Sequence, residues 1–204
     1  KPGYMTPEKL FKPEINEEFK GGVYPTAGAE VYMRRDIALS PVQAYIWKGV
    51  EGASGDAYGK VIIRKEFKEG EAMTLKAGET LVVDFGQNSS AVPEFVFKAA
   101  EGTVLTCLPG EILNDGNGSH SRGCDGPEGS VHRENLRIPG DIAFLVRYTF
   151  GKDKNFVTYC PRYTFFGYRY ISVTATDNVT IRSVSSIPVT SIAHDYDIGR
   201  IKTV

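Results

Sequence analysis

Apolar and polar side chains alternate in short runs along most of the chain, the period-two pattern of strands that bury one face. Runs of this kind fall at 30–34, 43–49, 60–67, 80–85, 94–99, 103–108, 111–113, 143–149, 168–175 and 178–185. Between them stand turn signals such as Ser40-Pro41, the stretch 52–55 and Lys76-Ala77-Gly78. The spacing predicts about eight to ten strands, which is the range of one sandwich or jelly roll. The fold class expected is therefore all-β, an antiparallel β-sandwich of the jelly-roll, galactose-binding-domain-like type. No repeat of fixed period appears, and the one tolerable helical stretch, 6–11, is cut short by Pro13. Residues 1–69 are expected to add strands or wrap one side, 70–186 to form the sandwich, and 187–204, where the pattern turns uneven, to act as a linker.

The stretch 114–129 breaks the rhythm. It holds five glycines with Asn, Asp, Ser and His and almost no apolar residue, so it predicts a long surface loop.

Composition narrows the function classes. With 204 residues and 41% hydrophobic content the chain can bury a real core. Its 24 basic and 25 acidic side chains leave a formal net charge of -1, so no general field attracts nucleic acid or an anionic membrane. No apolar run approaches a bilayer span, and Lys1 to Lys12 carry no signal-peptide h-region. The start at Lys1, without methionine, leads to the expectation of a piece of a longer polypeptide. Three widely spaced cysteines, Cys107, Cys124 and Cys160, fit neither a disulfide framework nor a zinc site, and Cys107 reads as a buried apolar residue.

Familiar catalytic patterns are missing. His120 and His132 stand near serines without a nucleophile elbow, and no phosphate-binding glycine fingerprint opens a helix. Glu111, Asp115, Asp125, Glu128 and Glu134 flank one loop, where solvated carboxylates are the plainer reading than a glycosidase pair. The region 111–135 also offers Asn114, Asn117 and Asn135, an oxygen-rich set of the kind that hard cations such as calcium select. A glycine-rich loop without metal explains the same composition. Asp84 is placed to cap a turn through its carboxylate, with Gly86 supplying φ above zero. Tyr163, Phe165, Tyr168 and Tyr170, at alternating positions, are expected to pave the core and one sheet face. Asn88 and Asn135 are hard to explain as packing, because a buried amide needs every partner, and they are the leading ligand-facing residues.

Four motifs, Val83-Asp84-Phe85-Gly86-Gln87-Asn88, Glu111-Ile112-Leu113, Glu134-Asn135-Leu136-Arg137 and the run from Pro161 to Tyr170, closely resemble in order and spacing the β-sandwich of bacterial α-L-rhamnosidases, the family 78 glycoside hydrolases. The resemblance covers about 80–185. It implies a sandwich that precedes a helical barrel carrying the catalytic carboxylates, with Asp197-Ile198-Gly199 resembling the barrel's entry. It implies that no catalytic residue lies in this chain and that the barrel is its partner. In some members the corresponding sandwich is a family 67 carbohydrate-binding module that holds terminal L-rhamnose through calcium. Carried over, this makes Glu134, Asn135, Asn88 and Asp84 the carbohydrate-binding set, and Glu134, Asn135 and Asp115 the calcium ligands. The loop at 114–129, longer than the usual family turn, becomes a rim. A rhamnose-containing glycan is the implied ligand and a bacterial periplasm or secreted location the implied compartment. Two alternatives stay open: a purely architectural domain that orients the barrel, and an independently catalytic glycosidase.

Overall fold

The computed structural model describes Glu18, residues 20–22, Gly28, and residues 30–68, 70–121, 124–136, 144–153 and 155–192. The helical stretch at 6–11 and the barrel-entry motif at 197–199 lie outside them.

Ten strands are present among these residues: β1 (Tyr32–Met33), β2 (Gln43–Glu51), β3 (Lys60–Phe67), β4 (Met73–Leu75), β5 (Thr80–Ala99), β6 (Val104–Gly110), β7 (Val146–Thr149), β8 (Val157–Tyr159), β9 (Phe166–Ala175) and β10 (Val179–Thr190). Every ladder between them is antiparallel. The expected β-sandwich is thus the observed fold, and helix is limited to short 3-10 turns.

One long strand runs through the middle of the sheet. The alternation predicted separate strands at 80–85 and 94–99, whereas β5 runs unbroken for 20 residues. Its first part, Thr80 to Asp84, pairs with β2, and Leu81 to Asp84 also pairs with β9. Its second part pairs with β10 over Ala91 to Ala99 and with β8 over Phe95 to Phe97. β9 pairs with β5 on both sides of residues 85–88, over Leu81 to Asp84 and again over Ser89 to Ala91, and the bulge between them bends the strand within the one sheet. The register passes from Asp84↔Tyr170 to Ser89↔Tyr168, which leaves residues 85–88 opposite Arg169 alone. Sequence explains the bend. Gly86 sits at φ +77°, where a Cβ would also press on Val42 at 3.1 Å, and its N–H donates to Asp84 Oδ1 at 2.6 Å. The turn predicted from Asp84 and Gly86 is therefore present, inside a strand rather than at its end.

In the main core cluster, Leu81, Val83, Phe95, Phe97, Leu105, Cys107, Tyr168, Ile171, Val173 and Ile181 are fully buried. Cys107 is the buried apolar residue expected of it. A smaller cluster of Tyr45, Val61, Val82 and Val131 forms on the other face of β2, β3 and β5, where Val131 brings the 111–134 loop down onto the sheet.

Several local expectations change. Strands β4 and β8 escaped the pattern because three residues are too few to show alternation. The predicted strand at 111–113 reduces to one bridge, Leu113↔Val131. Residues 187–190, read as the start of a linker, complete β10 and pair with β1 through Tyr32↔Thr190. Of the four aromatics expected to pave the core, Tyr168 does so, but Phe165 is 53% exposed and Tyr163 fully exposed with φ +62°. The alternation broke there because residues 163–165 precede β9. They belong to an irregular bend, which imposes no period-two facing.

Candidate functional site

The bulge in β5, the end of β6 and a turn after the long loop converge at one place. The bulge leaves Asn88 exposed, β6 ends at Gly110 paired with Tyr170, and Glu111 follows directly. A 3-10 turn, Glu134–Leu136, presents Asn135. Asn88 Nδ2 donates to Glu111 Oε1 at 3.2 Å, and Asn135 Nδ2 donates to Glu111 Oε2 at 3.3 Å. Each oxygen of one carboxylate therefore receives one amide, and both amides remain exposed.

Beside this cluster Asp84 is buried and engaged. Arg169 Nε donates to Asp84 Oδ1 at 2.8 Å and Nη2 to Oδ2 at 2.9 Å, a planar two-point pair. The guanidinium also lies 5.0 Å from the Tyr170 ring centroid. The hydrogen bond to Asp84 raises the Arg169 pKa further above its ordinary value. Asp84 thus holds the bulge and Arg169 in place, and its oxygens face protein donors.

The turn that carries Glu134 and Asn135 rests on a polar hub inside the loop. Asp125 Oδ2 accepts the backbone N–H groups of Arg133 at 2.7 Å and Glu134 at 3.0 Å, while Oδ1 accepts Asn114 Nδ2 at 2.8 Å. His132, only 1% exposed, places Nδ1 3.1 Å from Asn114 Oδ1 and 3.2 Å from Asp125 Oδ1. Burial pushes the Asp125 carboxyl up, but the donors from Arg133, Asn114, His132 and Glu134 outweigh it and leave the group below the usual carboxylate range. Arg133 then ties the turn to the sandwich by donating to the carbonyls of Pro109 at 3.2 Å and Phe144 at 2.9 Å. Among the described residues, the stretch expected as a surface loop is one, and its ends are held by these hydrogen bonds. Its glycines serve this: a Cβ on Gly116 would collide with the Gly59 carbonyl, and one on Gly118 with that of Asp56.

Asp115 belongs elsewhere. Its carboxylate accepts the Asn117 N–H at 3.0 Å and the Ser121 hydroxyl at 2.7 Å, and these donors lower its pKa to about 2. It lines a shallow recess with Glu51, Lys60 and Glu128, in which neither Glu134 nor Asn135 takes part. Of the expected site residues the structure brings together Asn88 and Asn135, keeps Glu134 exposed next to them, places Asp84 alongside through Arg169, and sets Asp115 in another recess.

Calcium takes six to eight oxygens. Asp84, Asp115 and Asp125 direct their carboxylates to protein donors, and among the described residues no three His, Cys, Asp or Glu side chains gather as a metal centre. Glu111 and Glu134 are the carboxylates left at the cluster. This arrangement does not fit a cation cage built by the protein alone.

Two residues matter here that the sequence reading passed over. Glu111 appeared only as a loop carboxylate and a motif position, yet it is the acceptor for both amides. Arg169 sat inside the aromatic run with no partner assigned. The available signal was period-two spacing, which sets Gly167 and Arg169 on the face opposite buried Phe166 and Tyr168.

One comparison, with a family model, shows the family. Residues 74–190 match the family described as the bacterial alpha-L-rhamnosidase concanavalin-like domain. An alpha-L-rhamnosidase of Streptomyces avermitilis is 31% identical over 136 residues, covering 63% of this chain and 12% of that protein. Among solved structures, a rhamnosidase from Klebsiella oxytoca with rhamnose bound aligns with TM-score 0.47 and 13% identity, over 80% of this chain and 30% of that one. A GH78 family rhamnosidase of Bacillus sp. GL1 aligns with TM-score 0.38 and 20% identity, over 56% of this chain and 10% of that one. The chain thus spans a minor part of each relative.

Proposed function

Because this chain belongs to the family of the bacterial alpha-L-rhamnosidase concanavalin-like domain, we propose that it is an accessory module of an α-L-rhamnosidase that contacts the sugar and leaves hydrolysis to a helical barrel elsewhere in the parent protein. The observation that carries the reading is the convergence of exposed Asn88 and Asn135 on the two oxygens of Glu111. A carboxylate accepts from two hydroxyls at once, and an amide donates to one oxygen while accepting from another. A vicinal diol of a rhamnose-containing glycan meets that set with matching donors and acceptors.

The parent's location, in the periplasm or outside a bacterial cell, follows the same family reading. Calcium has no assigned step in it, because the donors at the cluster do not form a cage.

Calorimetric titration with L-rhamnose tests the proposal, run once in chelator and once with calcium. Binding in chelator that disappears in Asn135→Ala, with thermal stability kept, is the expected result. Absence of affinity under both conditions, together with a large stability loss in Asn135→Ala, points to a domain that only orients the barrel.

A further inference from the structure

Strand β1 pairs with the end of β10, through Tyr32↔Thr190 and Met33↔Val189. The chain therefore enters the sheet and leaves it at neighbouring places. Beside both lies a groove of about 960 Å³, lined by Val31 and Met33 of the entering chain, Val189 of the departing one, and Arg162, Tyr163 and Phe165 from the segment between β8 and β9. Its apolar residues are uncovered. Val31 is 60% exposed and Met33 41%, Phe165 shows half its surface, and Tyr163 stands wholly in solvent. Ile192, two residues past the end of β10, is exposed as well. Single exposed apolar residues are ordinary, whereas several gathered round one groove mark a surface that another protein surface covers. Tyr, Phe, Met and Arg are also the residue types that the centres of protein interfaces favour.

The backbone gives an independent sign. Among the described residues Tyr163 is the non-glycine residue with positive φ, at +62°. A bulky residue in the left-handed region is strained, and a ring wholly in solvent buries nothing within this chain to offset the strain. Charge narrows the occupant. Arg35 is paired with Glu94 at 2.8 Å, whereas Arg162 has no carboxylate partner among the described residues. Glu94 is the groove's carboxylate and is already engaged, so a second copy of the groove has none to offer Arg162.

We propose that this groove seats the domain that follows the chain in its parent polypeptide, through an apolar surface that fills the space between Met33 and Phe165 and sets a carboxylate against Arg162. The sequence past Ile192 starts at the rim of the groove, and a parent of the rhamnosidase kind has most of its length outside this chain. Covering the groove supplies the burial that Tyr163 lacks. The inference rests on the reading of the chain as a module of a longer enzyme, and it is independent of whether the Glu111 cluster holds sugar.

The test compares hydrogen exchange in the chain alone and in the parent enzyme, for the wild type, Tyr163→Gly and Arg162→Glu, with melting temperatures of each. In the parent, the amides of 31–33 and 162–165 are expected to exchange at least about tenfold more slowly than in the chain alone. Tyr163→Gly relieves the positive φ, so the chain alone is expected to melt at or above the wild type while the protection in the parent falls. Arg162→Glu changes an exposed charge, so the chain alone keeps its melting temperature while the parent loses protection at the same amides. Equal exchange at these amides in the chain alone and in the parent overturns the proposal. A concentration-dependent dimer of the chain alone that Tyr163→Gly abolishes also overturns it, because the groove then belongs to a second copy. Titration with L-rhamnose keeps the two readings apart. Protection in a parent whose module binds no rhamnose upholds the docking face and removes the sugar contact, whereas rhamnose binding without protection does the reverse.

Discussion

Asn88 and Asn135, one on a strand bulge and the other on a 3-10 turn, meet across the Glu111 carboxylate at 3.2 and 3.3 Å. Neither amide is buried, so each exchanges its bond to Glu111 for a bond to water at small net cost. An exposed polar cluster of this kind contributes little to folding and is available to a ligand.

Asn135→Ala and Glu111→Gln should therefore each change stability by less than about 0.5 kcal/mol, as surface substitutions do. Glu111→Gln is the sharper of the two. It keeps the shape but replaces one acceptor oxygen with a donor, so one amide faces another N–H group and the diol loses a partner. Urea midpoints unchanged alongside a lost calorimetric signal with L-rhamnose is the expected pair of results.

Asp84 should behave in the opposite way. It is buried, accepts from both Arg169 and the Gly86 N–H, and fixes the bulge at which β5 bends. Arg169 is 39% exposed, so solvent screens part of the attraction. Asp84→Ala should cost about 2 to 3 kcal/mol, between the exposed and buried limits for a broken pair. For a domain of this size that lowers the melting temperature by about 5 to 10 °C. A drop of less than a degree would show that the pair does not hold the bend.

The loop at 112–134 should loosen in acid. Donors from Asn117 and Ser121 lower Asp115 to about 2, and Asp125 is also held below its ordinary range. A carboxylate whose pKa is depressed by folding adds stability that is present above its unfolded pKa, near 4, and is lost as pH falls through the folded value. Cleavage of the loop by pepsin should accordingly be slow at pH 4 and rise steeply toward pH 2. Asp115→Asn should show fast cleavage already at pH 4. Cleavage independent of pH across this window would mean that these carboxylates do not latch the loop.

Much of the sandwich was legible because its strands bury one face. β3 runs over the same residues, 60–67, that the alternation marked, and the turn at Asp84 and Gly86 could be read from residue chemistry alone. The continuity of β5 could not be read. Gly86 to Asn88 look like a turn between strands, and only the pairing of Ser89 with Tyr168 shows that the strand resumes. Asn88 and Asn135 could be singled out as poor packing residues, but Glu111 as their shared acceptor depends on contacts across three elements. His132 shows the same limit. It looked like an idle histidine near a serine, and burial against Asn114 and Asp125 makes it part of the hub that positions Asn135.

The central claim, that sugar is held at the cluster around Glu111, is tested most directly by amide NMR of the isotope-labelled chain during titration with L-rhamnose. The account predicts that the side-chain amides of Asn88 and Asn135 and the backbone amides of Glu111 and Gly167 shift together and saturate along one curve, while those of the Asp115 recess stay in place. Saturating sugar that leaves these four residues unmoved, or that shifts only the residues around Asp115, would contradict it.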